Sequence, residues 1–119
     1  MTDGMNAWNA MNNHNGSRYS PFGYYANARL GSAPTSQSEA RAQIDTKTLA
    51  TCTNAKAQGI TVYTVGFSVA SDPIDAGGLD LLKKCASSSD VAYVANDSTQ
   101  FLAVFDEIAR KIGTLRLTQ

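Results

Sequence analysis

Apolar positions recur at regular spacing over the second half of the chain and are scattered over the first. From Ile44 onward Asp45 stands as an N-cap, Leu49, Cys52 and Ala55 fall on one face, and Gly59 closes the segment, which predicts a helix. The run ITVYTVGF (60–67) turns Ile60 and Val62 to one side and Tyr63, Val65 and Phe67 to the other. Two apolar faces predict a central parallel strand covered on both sides. Leu79, Leu82 and Ala86 share the next helical face, with Leu81 and Cys85 beside them, and Ser87-Ser88-Ser89 ends it; VAYVA (91–95) predicts a second strand. Asp97 and Gln100 are spaced as a helix cap. Leu102, Phe105, Ala109 and Ile112 then form a buried stripe, widened by Phe101 and Ile108, up to a stop at Gly113 and an extended tail TLRLTQ. The order helix, strand, helix, strand, helix predicts an α/β domain with parallel strands joined by right-handed crossovers in three layers.

Residues 1–43 have a different texture, so the chain divides into a polar loop region over 1–43 and the regular elements over 44–119. Between 5 and 43, Asn, Gly, Ser and Tyr crowd together, which predicts a long surface excursion, with a short helix inside PFGYYANARLG (21–31) that stops at Gly31. Thr2-Asp3-Gly4, ahead of it, resembles the polar turns that follow strands at the carboxyl edge of parallel sheets, where such sheets hold their ligands.

Length and charge narrow the functional classes. A chain of 119 residues suits one domain. Ten Lys and Arg balance ten Asp and Glu, so no net field draws it to nucleic acid or an anionic membrane surface. No apolar run approaches the roughly 20 residues of a membrane span, and the start lacks a signal-peptide pattern. Cys52 and Cys85 form neither a CxxC pair nor a zinc cluster, leaving two buried thiols or one disulfide.

Candidate chemistry is sparse. GFSVA places Ser68 after a strand in the manner of a nucleophile elbow, but Ala70 replaces the second Gly, and the only histidine, His14, precedes the serine instead of following it. Ser68 therefore reads as a strand-end turn residue and His14 as a solvated loop residue. No phosphate-binding glycine loop follows either strand. Asp72 and Asp75 flank Pro73 on the ligand edge, where lining a binding surface and capping a Pro-containing turn explain them equally well. Asn15-Gly16-Ser17 and Asn96-Asp97-Ser98 match the glycosylation acceptor pattern. Trp8, Tyr19, Phe22, Tyr24 and Tyr25 give the first third an aromatic content suited to packing onto the sheet or to a protein contact.

Taken in order, MTDG with an Asn-rich loop, TCTNAKAQGITVYTVGF, LLKKCASS and IARKIGTLRLT resemble the carboxyl-terminal half of a von Willebrand factor A domain, of the TadG-like type found in bacterial Tad (Flp) pilus assembly systems. The resemblance implies a partial doubly wound, Rossmann-like parallel sheet missing its N-terminal strands, with Met1 an internal methionine of the strand before TDG. It implies a non-enzymatic protein-interaction module at the periplasmic face of the inner membrane, anchored by a missing N-terminal helix, with protein partners in pilus assembly or adhesion. Alternatives are a generic von Willebrand factor A adhesion domain with metal-dependent ligand binding, and a small α/β hydrolase using Ser68. The family's metal motif combines a DxSxS loop, a Thr from a second loop and an Asp after the fourth strand; only the last is present, as Asp3. One carboxylate cannot complete the oxygen shell of Mg²⁺, so Mg²⁺ or Mn²⁺ is expected only in a full-length domain and not on this chain alone. A periplasmic setting, where disulfides persist, favours a Cys52–Cys85 bond. A half domain would leave a sheet edge open, so poor solubility or assembly through that edge is expected; sedimentation as one cooperatively melting monomer would overturn this.

Overall fold

A computed structural model describes residues 1–8, 11–14 and 17–116, with side chains for all of these except 11–18 and 114–116. The stretch expected to be a polar loop begins with a small antiparallel sheet. Its strands are β1 (Met11–His14), β2 (Ser17–Ser20) and β3 (Gly23–Tyr24), with Tyr19 opposite Tyr24. The Ser20 hydroxyl accepts from the Phe22 amide at 3.1 Å, and Gly23 takes φ 90°, which only glycine adopts freely. The helix expected within 21–31 reduces to one 3₁₀ turn, Tyr25–Asn27, ending on a left-handed Ala28. Counting apolar positions missed this sheet because its pairing rests on backbone bonds and on the Tyr19–Tyr24 ring contact at 4.9 Å. Beside it, Trp8, Tyr25 and Ala40 form a buried cluster flanked by Leu30 and Ile44. Trp8 meets Tyr25 and Phe22 edge-on at 4.9 and 5.2 Å.

The first long helix, α1 (Gln37–Ala57), starts eight residues before the expected cap at Asp45. Ser36 Oγ accepts from the Glu39 amide at 3.2 Å, and the Glu39 carboxylate reaches back to the Thr35 amide at 2.7 Å, a capping box shifted by one residue. That bond from Thr35 holds the Glu39 carboxyl below the usual range. Asp45 lies inside the helix, where it accepts from Asn6 Nδ2 at 2.8 Å. The start was hidden because the first turns of α1 are polar and carry no apolar spacing; Ala40 is the helix's one buried residue. Gly59, at φ 76°, turns the chain beyond its end.

The second sheet is parallel. Strand β4 (Thr64–Phe67) pairs with β5 (Ala92–Ala95), Thr64 opposite Ala92 and Phe67 opposite Ala95. The strand expected over 60–67 is shorter because Val62 turns its amide and carbonyl to the Ser87 hydroxyl (2.8 Å) and amide (3.0 Å) instead of to a neighbouring strand. Helix α2 (Ala76–Cys85), capped by Asp75, covers one face. It sits so close that a Cβ on Gly66 would fall 2.9 Å from Leu82 Cδ1, which explains a glycine in mid-strand. Helix α3 (Ser98–Arg116) covers the other face, with Phe101 against Phe67 at 5.3 Å. Its cap is the expected one: Asp97 Oδ1 accepts from the Gln100 amide at 2.8 Å. The chain is thus α/β, with a parallel pair between helices.

Two expectations for α3 are corrected. The helix continues through Gly113 to Arg116, since one glycine costs only about 1 kcal/mol in a helix that already has its ladder. The expected buried stripe faces outward: Leu102 is 67% exposed, Phe105 43% and Ile112 48%. The side turned to β5 carries Phe101, Val104, Glu107, Ile108 and Lys111. There Tyr93 donates to Glu107 at 3.1 Å and accepts from Lys111 at 2.9 Å, so polar bonds set the rotation of the helix.

Cys52 of α1 and Cys85 of α2 are joined, their Cα atoms 5.2 Å apart and 33 residues apart in sequence. In the chain-entropy view such a loop closure stabilises by roughly 3.5 to 4 kcal/mol. Alkylation of the denatured chain without reductant should leave its mass unchanged, and reduction should lower the melting temperature; two added labels would refute the bond.

Candidate interaction site at the carboxyl edge of the sheet

The turn after Thr2 is fixed by a single rung of parallel pairing. The Thr2 amide donates to Val65 O at 3.0 Å and the Phe67 amide donates to Thr2 O at 2.9 Å, placing Thr2 beside β4 on the side away from β5. The Thr2 hydroxyl then closes the turn, donating to Gly4 O at 2.7 Å and accepting from the Gly4 amide at 3.1 Å. Asp3 projects from this turn, exposed and without a hydrogen-bond or ion-pair partner among the described residues. It stands at the carboxyl end of β4, where parallel sheets place their sites.

Asp3 divides two cavities. On one side a largely apolar groove of about 330 Å³ is lined by Met1, Thr2, Phe67, Ser98 and Phe101. The ring of Phe101 continues outward to Phe105 at 5.0 Å, so the groove runs onto the exposed side of α3. On the other side a cleft of about 310 Å³ brings Asp3 together with Asp72 and Asp75, beside Met5 and Pro73.

Asp75 is committed elsewhere. Its Oδ1 accepts from the Gly78 amide at 2.7 Å as the cap of α2, and both oxygens take the Arg41 guanidinium as a fork, at 2.5 and 2.8 Å. The Arg41 fork, helped by the Gly78 amide, lowers the Asp75 carboxyl to about 2. Arg41 also donates to Met5 Sδ at 2.9 Å, which ties the segment after the turn to α1.

These residues do not fit a divalent cation. Asp75 is neutralised by a guanidinium, the Thr2 hydroxyl is spent on Gly4, and Asp3 is left as one carboxylate with Asp72 across the cleft. Among the described residues no group of His, Cys, Asp or Glu is arranged to hold a metal. What the edge offers is an acidic point beside an aromatic groove, a combination suited to an apolar surface with a basic group at its margin.

The remaining candidates separate. Ser68 Oγ accepts from the Ile74 amide at 3.0 Å and its own amide donates to Ala95 O at 2.8 Å, so its hydroxyl closes the 68–74 loop. The side chain of His14 and residues Asn15 and Gly16 lie outside the described residues. Asn96 has its amide bonded to Gln100 Oε1 at 3.0 Å, inside the α3 cap. Sequence reasoning missed Arg41, although its spacing four residues before Asp45 marked a helix face pair. It missed Phe101 as a groove residue by assigning it to the core.

The Asp75 carboxyl is depressed in the folded chain, so the stability it contributes is fully present above its ordinary value near 4 and is lost as pH falls toward about 2. The melting temperature of the native chain should therefore drop over that window more steeply than that of Arg41→Gln; parallel curves would remove the fork from the account. No family model, curated protein or solved structure matches the chain.

Proposed function

We propose that the chain is a non-enzymatic protein-interaction module of the von Willebrand factor A type, working at the bacterial cell envelope in assembly or anchoring of a Tad-type pilus. The observation that carries the reading is the Thr2 rung: it sets Asp3, without a partner among the described residues, at the carboxyl end of a parallel strand, at the mouth of the Phe67–Phe101 groove. The family assignment rests on the sequence resemblance, and a parallel pair flanked by helices is compatible with part of a doubly wound sheet. The partner surface that fits is apolar with a basic rim, since the exposed Asp3 carboxylate beside the groove has no partner among the described residues. Metal is not part of this reading for the chain as it stands. Among the described residues nothing favours the hydrolase alternative; the Ser68 hydroxyl accepts from the Ile74 amide as part of the 68–74 loop.

A photoreactive phenylalanine analogue at Phe101, in cells that make the protein, should cross-link to an envelope protein, whereas the same analogue at Lys47 on α1 should not. Asp3→Lys should reduce that cross-link several-fold and lower surface adhesion. Equal cross-linking from both positions, or labelling of Ser68 by a fluorophosphonate, would overturn the proposal.

A further inference from the structure

The other side of the parallel pair carries a second surface. Strand β5 has β4 on one side and no strand on the other among the described residues. Because the Ser68 amide bonds to Ala95 O, the alternation of the ladder directs the backbone groups of Tyr93 and Ala95 toward β4 and those of Ala92 and Val94 outward. The Ala92 amide is taken by Ser89 O. That leaves the Ala92 carbonyl and the Val94 amide and carbonyl as a consecutive set of strand-pairing groups, with no partner among the described residues.

A groove of about 190 Å³ lies directly beside this edge, between β5 and α2, lined by Leu79, Leu82, Lys83, Ala92 and Val94. Val94 shares the face of Gly66, its register partner, which is the face that α2 covers. Yet Val94 is 47% exposed, because α2 stops short of the edge. Most edge strands are blunted by a charge, a proline or a bulge. Here the strand is short and its own side chains, Ala92, Tyr93 and Val94, carry no charge. Of the two lysines in the last turn of α2, Lys84 is paired with Asp80 at 2.6 Å, whereas Lys83, which lines the groove, has no ion-pair partner among the described residues.

We propose that this edge takes an extended peptide segment of a partner protein as an added strand, one of its apolar side chains entering the Leu79–Leu82–Val94 groove and a neighbouring Asp or Glu meeting Lys83. Backbone pairing to Val94 supplies affinity without sequence preference, and the groove and the lysine supply the selection. The surface is separate from the Asp3 edge, on the far side of β4, so it stands or falls independently of the function proposed above.

The test uses the full chain as target for a phage-displayed library of random nonapeptides, followed by hydrogen exchange with one synthetic peptide from the enriched set. The enriched sequences should place an acidic residue within two positions of a Val, Ile or Leu. Saturating peptide should slow exchange of the Val94 amide at least about tenfold, as for an amide that gains a ladder partner. Lys83→Glu, an exposed change that leaves the fold intact, should weaken the peptide by about fivefold, the scale of an exposed ion pair replaced by repulsion. No enrichment, an unchanged Val94 amide at saturation, or enriched sequences without an acid would overturn the proposal. So would protection of Val94 that rises with protein concentration in the absence of peptide, which would assign the edge to a second copy of the chain.

Discussion

The arrangement depends on how α2 is held against α1. At its amino end, Asp75 caps the helix and at the same time accepts the Arg41 fork from α1. At its carboxyl end, Cys85 is bonded to Cys52 of α1, and Lys56 of α1 donates to the carbonyls of Lys84 at 2.9 Å and Ala86 at 3.2 Å. A cation on the last carbonyls of a helix satisfies orphaned acceptors and opposes the helix dipole. Both ends of α2 are thus clamped to one neighbour. The clamps matter because α1 buries only Ala40 completely, so apolar packing alone gives it little purchase. Exposed ion pairs contribute little singly. This one is a bidentate fork on a capping carboxylate, so its geometry is fixed from three sides.

Arg41 extends the same constraint to the candidate site. Its contact with Met5 Sδ, together with Asn6 on Asp45, lays the segment after Gly4 along α1, while Thr2 is fixed to β4 by two backbone bonds. The Asp3 turn is therefore flanked by an anchor on the sheet and an anchor on α1. A carboxylate that is free of partners but stands on a turn anchored at both sides is pre-ordered for a contact, and it loses little entropy on making one.

The regular half of the fold was legible where a single local rule governed it. Tyr63, Val65 and Phe67 alternate along one face and VAYVA is apolar throughout, so both strands were legible, although Ile60 and Val62, read as the second apolar face, precede the first of them; Asp97 with Gln100 reads as a cap because capping is local chemistry. Asp45 misled because a good N-cap residue inside a helix looks the same in sequence as one at its start; the true signal was Ser36 with Glu39, set in a polar stretch. The β1–β3 sheet was illegible because its pairing comes from backbone and from tyrosines brought together by a turn at Pro21. In the candidate site, Asp3 was readable from the turn chemistry of Thr2-Asp3-Gly4. Phe101 was not, since periodicity cannot say which of two adjacent apolar stripes a helix will bury.

That last ambiguity has a physical resolution in the Tyr93–Glu107–Lys111 network. The Tyr93 hydroxyl and the Glu107 carboxylate raise the Lys111 ammonium above its ordinary range, and Lys111 also donates to Asp90 O at 2.9 Å. Rotating α3 to bury Leu102, Phe105 and Ile112 against β5 would gain apolar burial but would strip these groups of their partners beside a half-buried tyrosine. The same rotation would also lift Phe101, Val104 and Ile108 off the sheet, so the apolar gain is offset. The two-stranded sheet is too narrow to cover both stripes, so the network decides which is covered. The consequence is that the outward stripe, the Phe101 groove and the edge at Val94 are apolar surface left in water by a sheet that, among the described residues, is two strands wide.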